Sequence, residues 1–356
     1  MKILRSLTVI ASCVAWAACA SAQISLTPPG VQTPPPAASK AAPKKAPAPA
    51  KAPTAAKKAP TPPAEKSAQP AEAAPTDPNA DLVYGAYQRG QYKTAFDLAS
   101  KRAQENNDPK AMTMLGELYA NALGVKRDYA KAAEWYQRAS ERGDREAMFA
   151  LAMLRLSDRG NVGKRDEAVK LLASSAKLGN PKAAYNLALL YLDGQTLPQD
   201  VKRSAELLRV AADAGNPEAQ YALATFYKEG TGVEKSIDKA VRLLQAASLA
   251  DNVDAEVEYA IALYNGTGTP KNEAAAIALL RKASKQNSPI AQNRLARVLA
   301  LRTNTDERLE GLKWHIVAKT AGKGDLMLDE LLAQATPEEK TKAQEAAKKW
   351  LGTTQK

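Results

Sequence analysis

Residues 108–143, DPKAMTMLGELYANALGVKRDYAKAAEWYQRASERG, decide the fold of this chain. Small and large apolar residues recur at helical spacing over residues 111–119 and again over residues 132–139. The segment opens with Asp108, a capping side chain, followed by Pro109 at the first helical position. It therefore predicts two amphipathic helices joined by a loop.

The same pattern returns every 36 residues. An alanine stands at each equivalent position of the first helix: Ala111, Ala147, Ala183, Ala219, Ala255 and Ala291. A repeat of this length indicates stacked units that share a continuous core, because one unit alone cannot bury its apolar face. We predict an all-α fold, an α/α solenoid of about six 36-residue helix-turn-helix repeats over residues 108–323. A capping helix pair at 81–107 and capping helices at 324–356 close it.

The repeat pattern resembles that of a known family. It reads A-x-x-x-L-G-x-x-Y, a glycine-containing loop, then K-A-x-x-W-Y-x-x-A and G-D/N. The matching residues are Ala111, Leu115, Gly116, Tyr119, Gly124, Val125, Asp128, Lys131, Ala132, Trp135, Tyr136, Ala139, Gly143 and Asp144. This pattern resembles the Sel1-like repeat, a relative of the tetratricopeptide repeat with a longer loop between its helices. Arg155 in the tyrosine position of the second repeat and Tyr259 in the leucine position of the fifth depart from it.

The first 22 residues have the pattern of a secretory signal peptide. Two basic residues precede an apolar stretch of about 12 residues, too short for a stable transmembrane helix. Residues 20–22, Ala-Ser-Ala, fit a cleavage site, so we expect a periplasmic protein whose mature chain begins at Gln23. The alternative is a lipoprotein anchored through Cys19. Residues 16–18, directly before that cysteine, are a poor lipidation signal because Trp16 stands where leucine is usual.

Both cysteines, Cys13 and Cys19, lie within this signal. The mature chain should therefore contain neither a disulfide scaffold nor a cysteine-ligated metal site.

Residues 23–80 form a low-complexity segment that holds 15 of the 22 prolines of the chain. Proline removes backbone donors, and the segment has too few large apolar side chains to form a core. We predict a disordered Pro/Ala/Lys-rich linker. Its seven lysines against three acidic residues permit a weak attraction to anionic envelope polymers or lipid headgroups, while a solubilising tether is the simpler interpretation.

The sequence does not favour an enzyme. His315 is the only histidine, and no neighbouring nucleophile or carboxylate in the sequence supports a catalytic role, so we expect it to pack between helices. The glycine loop at residues 230–236 lacks both the spacing and the preceding strand of a phosphate-binding loop. We predict no catalytic, cofactor-binding or metal site, and no nucleic-acid partner.

The resemblance implies that the first helices of the stack line a concave groove. Three aromatic residues occupy one register position in successive repeats, and apolar and polar residues flank them on the same helical face. The predicted partner-binding residues are Thr113, Phe149, Met153, Tyr185, Leu189, Asp193, Tyr221, Thr225 and Glu229. The alternative is that the aromatic side chains serve only in packing between helices.

The resemblance also implies a class of function. Sel1-like proteins commonly serve as adaptors in envelope and signalling complexes, so we expect a periplasmic scaffold that binds a protein partner. One narrower role is regulation of an envelope signalling system such as exopolysaccharide control. The alternatives are a factor that binds peptidoglycan or polysaccharide, and a β-lactamase-like hydrolase. The absence of cysteines from residues 23–356 does not favour the hydrolase.

Overall fold

The computed structural model describes residues 81–157 and 165–354. The predicted signal peptide, the predicted linker and most of the loop of the second repeat lie outside the described residues. Within the described ranges the chain forms sixteen α-helices and no strand, which confirms the predicted fold class.

The helices alternate between two positions in the repeat. The first helices are α3 (Pro109–Asn121), α5 (Arg145–Leu156), α7 (Pro181–Asp193), α9 (Pro217–Glu229), α11 (Val253–Asn265) and α13 (Pro289–Leu299). The second helices are α4 (Tyr129–Ser140), α6 (Arg165–Lys177), α8 (Val201–Asp213), α10 (Ile237–Leu249), α12 (Glu273–Lys285) and α14 (Thr305–Thr320). Before them lie α1 (Leu82–Gln88) and α2 (Tyr92–Asn106), and after them α15 (Leu326–Gln334) and α16 (Pro337–Thr354).

Local sequence signals set where these helices begin and end. The side chain of Asn180 accepts a hydrogen bond from the amide of Ala183 at 2.9 Å, and Asn216 caps α9 in the same way. The preceding second helices end in left-handed residues, which glycine adopts without strain, at Gly143, Gly179 and Gly215. Asn107 and Asn287 adopt the same conformation at the equivalent positions, with φ of 49° and 62°.

Each second helix packs against the first helix of its own repeat and against the first helix of the next. The repeated alanines are buried at the contacts between helices, and the leucines that follow them fill the space between layers: Leu115, Leu151, Leu187, Leu223 and Leu295. Gly116 shows how closely the elements fit, because a Cβ there would lie 2.5 Å from the ring of Tyr136. In the four following repeats an alanine replaces that glycine and a leucine replaces that tyrosine.

The C-terminal helices close the stack. Thr336 and Glu339 form a capping box at the start of α16, with each side chain accepting a hydrogen bond from the backbone amide of the other residue. The ring of Trp350 meets that of Trp314 edge to face at 5.2 Å, which holds α16 against α14. The last repeat therefore does not present a bare apolar face.

Candidate functional site

The exposed sides of the six first helices are called here the first-helix face, and polar contacts join three pairs of successive helices on it. Asn180, the cap of α7, donates to Glu146 of α5 at 3.0 Å. The ammonium of Lys228 on α9 lies 3.0 Å from Oε2 of Glu258 on α11. The α3–α5 contact is made by Thr113, whose hydroxyl donates to Asp144, the cap of α5, at 3.1 Å. These contacts fix the spacing between neighbouring repeats.

The structure places the row of predicted aromatics between helices. Phe149 is half-buried and packs against a cluster that contains Leu172 and Leu187. Tyr185 and Tyr221 are also half-buried and pack against the next cluster. Burial, followed by the charge of Glu218 on the next first helix, raises the pKa of the Tyr185 hydroxyl. The three aromatics therefore contribute to interhelical packing and expose only part of their surface.

The register position of these aromatics is polar in the first and sixth repeats, where Thr113 and Asn293 occupy it. The Thr113 hydroxyl lies 3.1 Å from Oδ1 of Asp144 and 3.0 Å from the carbonyl oxygen of Pro109, and it can donate its single hydrogen to either acceptor. In the sixth repeat, Asn293 donates to Asp325, the cap of α15, at 3.3 Å. The hydroxyl of Thr113 is thus engaged in positioning the next repeat.

The remaining predicted residues lie further along the same helices. Met153, Leu189 and Thr225 are half-buried. Asp193 and Glu229 are the last residues of α7 and α9, and Glu229 is exposed. Both carboxylates stand at the negative end of a helix dipole, where a negative charge is unfavourable. These two residues weaken their own helices and offer negative charge to the surroundings.

Charge is segregated between the two helix positions in repeats three to five. The first helices α7, α9 and α11 carry six acidic and two basic residues, and five of the acidic residues remain for the surface because Glu256 is fully buried. The second helices α8, α10 and α12 carry four acidic and eight basic residues. The first-helix face of these repeats is therefore acidic. Burial, followed by the neighbouring Glu258, raises the pKa of the Asp254 carboxyl on this face.

An apolar pocket of about 140 Å³ opens between repeats four and five. Its walls come from α10 and α11 and are made of Ile237, Ala240, Val241, Leu244, Ile261 and Ala262. The Lys228–Glu258 ion pair, Asn265 and Thr267 complete the lining. Sequence reasoning did not select this pocket. The sequence does contain a signal for it, because Ala262 is small where the equivalent residue of each earlier repeat is large. Those residues, 36, 72, 108 and 144 positions before it, are Phe226, Leu190, Leu154 and Leu118.

His315 is fully buried, as expected for a packing residue. The fold also brings a carboxylate to it, which the sequence analysis did not foresee: Nε2 of His315 lies 2.8 Å from Oδ1 of Asp329 on α15. The same carboxylate oxygen accepts from Lys319 at 2.7 Å. The pKa of the Asp329 carboxyl is lowered first by its hydrogen bond from Lys319 and then by that from His315. These contacts connect α14 to the capping helix α15.

The described residues hold no group of three or more His, Cys, Asp or Glu side chains placed to bind a metal ion. Among the helices of the two described ranges, none is long and apolar enough to cross a membrane.

The comparison with protein families identifies the repeat. The Sel1 repeat model matches residues 109–144, 145–180, 181–216, 217–252 and 253–288, five consecutive units of 36 residues. The matches span half of the chain, and the chain belongs to the Sel1 repeat family. Sel1 repeat proteins generally mediate protein–protein interaction, and this class of scaffold is generally non-enzymatic. The helix pair α13–α14 follows the five matched units and continues their alternation.

Two solved structures are similar to the chain in fold. A Sel1 repeat protein from Oxalobacter formigenes is similar with a TM-score of 0.59 and 22% identity, over 67% of this chain and 98% of that one. A protective antigen present in uropathogenic Escherichia coli strains, described as displaying an SLR fold, is similar with a TM-score of 0.50 and 23% identity. That match covers 75% of this chain and 67% of the antigen. No curated protein matches the chain. At these identities the likeness concerns the fold alone.

Proposed function

We propose that this chain is a non-enzymatic periplasmic scaffold that binds a protein partner along its first-helix face. The family supports the general class of function, because Sel1 repeat proteins generally mediate protein–protein interaction. The sequence pattern of residues 1–22 supports the location.

The observation that carries this proposal is the segregation of charge in repeats three to five. Ion pairs within the stack account for two of the acidic residues, Glu256 and Glu258. A stack that served only as a spacer would have little reason to place four more on the same helices: Asp193, Glu218, Glu229 and Asp254. Two of the acidic residues, Asp193 and Glu229, end helices where they are unfavourable for stability. Such residues are typical of a binding surface, because a partner supplies the compensating charge.

Site-specific photocrosslinking tests the proposal. A photoreactive amino acid is placed at Asp193 or Glu229 on the first-helix face, and at Glu206 or Gln245, which are exposed on second helices α8 and α10. We expect the first two positions to crosslink one protein in cells, and the purified pair to bind again when mixed. The control positions should not capture that protein. Capture from the second-helix positions alone would contradict the proposed face.

The location is tested separately by cell fractionation and N-terminal sequencing. The expected result is a periplasmic chain beginning at Gln23, and a chain lipidated at Cys19 would contradict it. Regulation of exopolysaccharide production is a narrower form of this role. It is tested by measuring polysaccharide output in a strain that lacks the chain.

A further inference from the structure

The pocket between repeats four and five is a gap in an otherwise regular core. Large side chains occupy the equivalent position in earlier repeats, and three of them are almost fully buried: Leu118, Leu190 and Phe226. In the fifth repeat this position is Ala262, whose side chain is also buried. The alanine therefore leaves space that a leucine or phenylalanine of the same chain fills elsewhere in the stack.

The pocket has the size and chemistry to hold one apolar side chain. Its volume of about 140 Å³ matches what the internal repeats place there, a branched aliphatic group or a single aromatic ring. An apolar cavity of about 150 Å³ stays dry and binds benzene, so a hydrocarbon group is a suitable occupant. Water would find few polar partners against Ile237, Val241 and Leu244.

The surroundings of the pocket restrict the rest of the occupant. The Lys228–Glu258 pair connects α9 and α11 beside the pocket, and Asn265 and Thr267 offer exposed polar groups next to it. Lys228 and Glu258 belong to the first-helix face, which carries further acidic residues at Asp193, Glu218, Glu229 and Asp254. A segment that places a side chain in the pocket therefore runs over a negatively charged surface, where lysine and arginine side chains are favoured.

We propose that the pocket at Ala262 anchors one large aliphatic or aromatic side chain of a basic segment of the protein partner. This inference rests on the proposed function, since it assumes that the partner lies on the first-helix face. It adds the position of the anchor, the class of anchoring residue and the charge of the partner segment.

The test uses a random peptide library selected on the full chain. We expect enriched peptides to be rich in lysine and arginine around one leucine, isoleucine, methionine or phenylalanine. Replacement of that residue by alanine in an enriched peptide should weaken binding at least tenfold, because a fully buried large apolar side chain contributes that much. Binding should also weaken as the salt concentration rises from about 0.05 to about 0.5 M, since screening reduces attraction to the acidic face.

The decisive variant is Ala262→Leu, which restores the residue found in the first three repeats. It should fill the pocket, lower the affinity of the enriched peptides at least tenfold and leave the thermal midpoint equal or higher. Ala262→Val, the residue of the sixth repeat at Val298, is the smaller replacement to use if leucine overpacks the site. The control is Ala274→Leu, which adds the same side chain at an exposed position on the second helix α12 and should leave binding unchanged.

The outcomes separate the two proposals. Peptides that are enriched and crosslink to the first-helix face, but bind Ala262→Leu and Ala262→Val as tightly as the natural chain, overturn the pocket and leave the proposed function standing. Enriched peptides without basic residues overturn the proposed charge of the partner. If selection yields no peptide and Asp193 and Glu229 crosslink no protein, both proposals fail.

Discussion

Arg155 and Glu167 form an ion pair, with 2.9 Å between Nη1 and Oε2, where three other repeats stack a basic side chain on a tyrosine. The equivalent pairs are Lys131 over Tyr119 at 5.4 Å, Arg203 over Tyr191 at 5.5 Å and Lys239 over Tyr227 at 5.2 Å. In each case the contact joins the last part of a first helix to the beginning of the second helix. The second repeat keeps this contact but moves the positive charge to the first helix. The unusual arginine is thus compensated by an equally unusual glutamate.

This relationship predicts energetic coupling between the two positions. Glu167→Lys alone should destabilise the chain by about 0.5–1 kcal/mol, because it places two cations together. Arg155→Tyr alone removes the ion pair and the hydrogen bond from Arg155 to Gln137. Combined, the two changes recreate the pair of the other repeats and should recover most of the loss through a cation–π contact. Urea unfolding of the four proteins measures this, and strictly additive effects would contradict the coupling.

Asp193 and Glu229 give a prediction that separates stability from binding. Changing either residue to lysine places a cation at the C-terminal end of its helix, which should raise the free energy of unfolding by about 0.3–1 kcal/mol. The same change should weaken binding of a basic partner, mainly by lowering its association rate, and the loss should shrink at high salt. Thermal unfolding and association kinetics are measured on the same samples. Lysine variants that bind the partner as fast as the natural chain would show that the acidic face is not used.

The buried acidic residue Glu256 takes the place of a glutamine that occurs in the repeats on either side of it. Gln220 and Gln292 stand 72 residues apart, and each donates a hydrogen bond at 3.2 Å to a carbonyl near the end of the preceding second helix, that of Ala212 or Ser284. The repeat between them has Glu256 instead, fully buried and 2.5 Å from the ammonium of Lys282. A carboxylate cannot donate to a carbonyl, so this repeat uses an ion pair in place of the hydrogen bond.

Glu256→Gln should therefore be tolerated. The amide can donate to the preceding helix as in the neighbouring repeats, and Lys282 keeps its contact with Asp251. We expect a free energy of unfolding equal to that of the natural chain or higher by about 1 kcal/mol. The matched control is Gln220→Glu, which should cost about 1–3 kcal/mol because Ala246 stands where Lys282 would be needed. A loss of several kcal/mol in Glu256→Gln would show that the ion pair is essential.

The regular part of this fold was predictable because its signals are local and recur. Caps such as Asn180 and left-handed positions such as Gly179 lie within a few residues of the boundary that they set. The 36-residue period multiplies each signal. The capping box at Thr336 was predictable for the same reason.

What the sequence analysis missed depends on contacts between repeats. Asp329 reaches His315 across a loop and a helix boundary, and no spacing rule connects the two residues. The pocket at Ala262 was visible in principle, since a small residue breaks a series of large ones, but only comparison of each register position with its neighbours reveals it.

The C-terminal cap gives a prediction about pH. Burial raises the pKa of the Asp325 carboxyl. The hydrogen bond and charge of Arg297, followed by hydrogen bonds from Asn293 and the amide of Leu328, lower it by more, so the pKa is lowered overall. A carboxyl with a lowered folded pKa stabilises the fold above its unfolded pKa, about 3.9, and loses that contribution as the pH falls through the folded value.

Asp325→Asn tests this, because asparagine caps a helix as well as aspartate but carries no charge. The natural chain should be more stable than the variant at pH 7, and the difference should diminish below about pH 4. Urea unfolding at several pH values measures the difference. A gap between the two proteins that does not change with pH would assign the effect to the shape of the side chain and not to its charge.

The last prediction concerns Tyr221, one of the aromatics in the predicted groove. Its half-buried ring packs against the cluster that contains Leu223, so Tyr221→Ser should lower the free energy of unfolding by about 1–3 kcal/mol. Tyr221→Leu keeps apolar bulk at the site and should cost less than about 1.5 kcal/mol. If the exposed part of the ring contacts the partner, the leucine variant should bind it more weakly while remaining folded. Leu223→Ala is the control for packing alone, and should cost about 2–5 kcal/mol with little effect on the affinity of the folded fraction. A leucine variant with unchanged affinity would assign Tyr221 to packing and leave binding to the acidic residues and the Ala262 pocket.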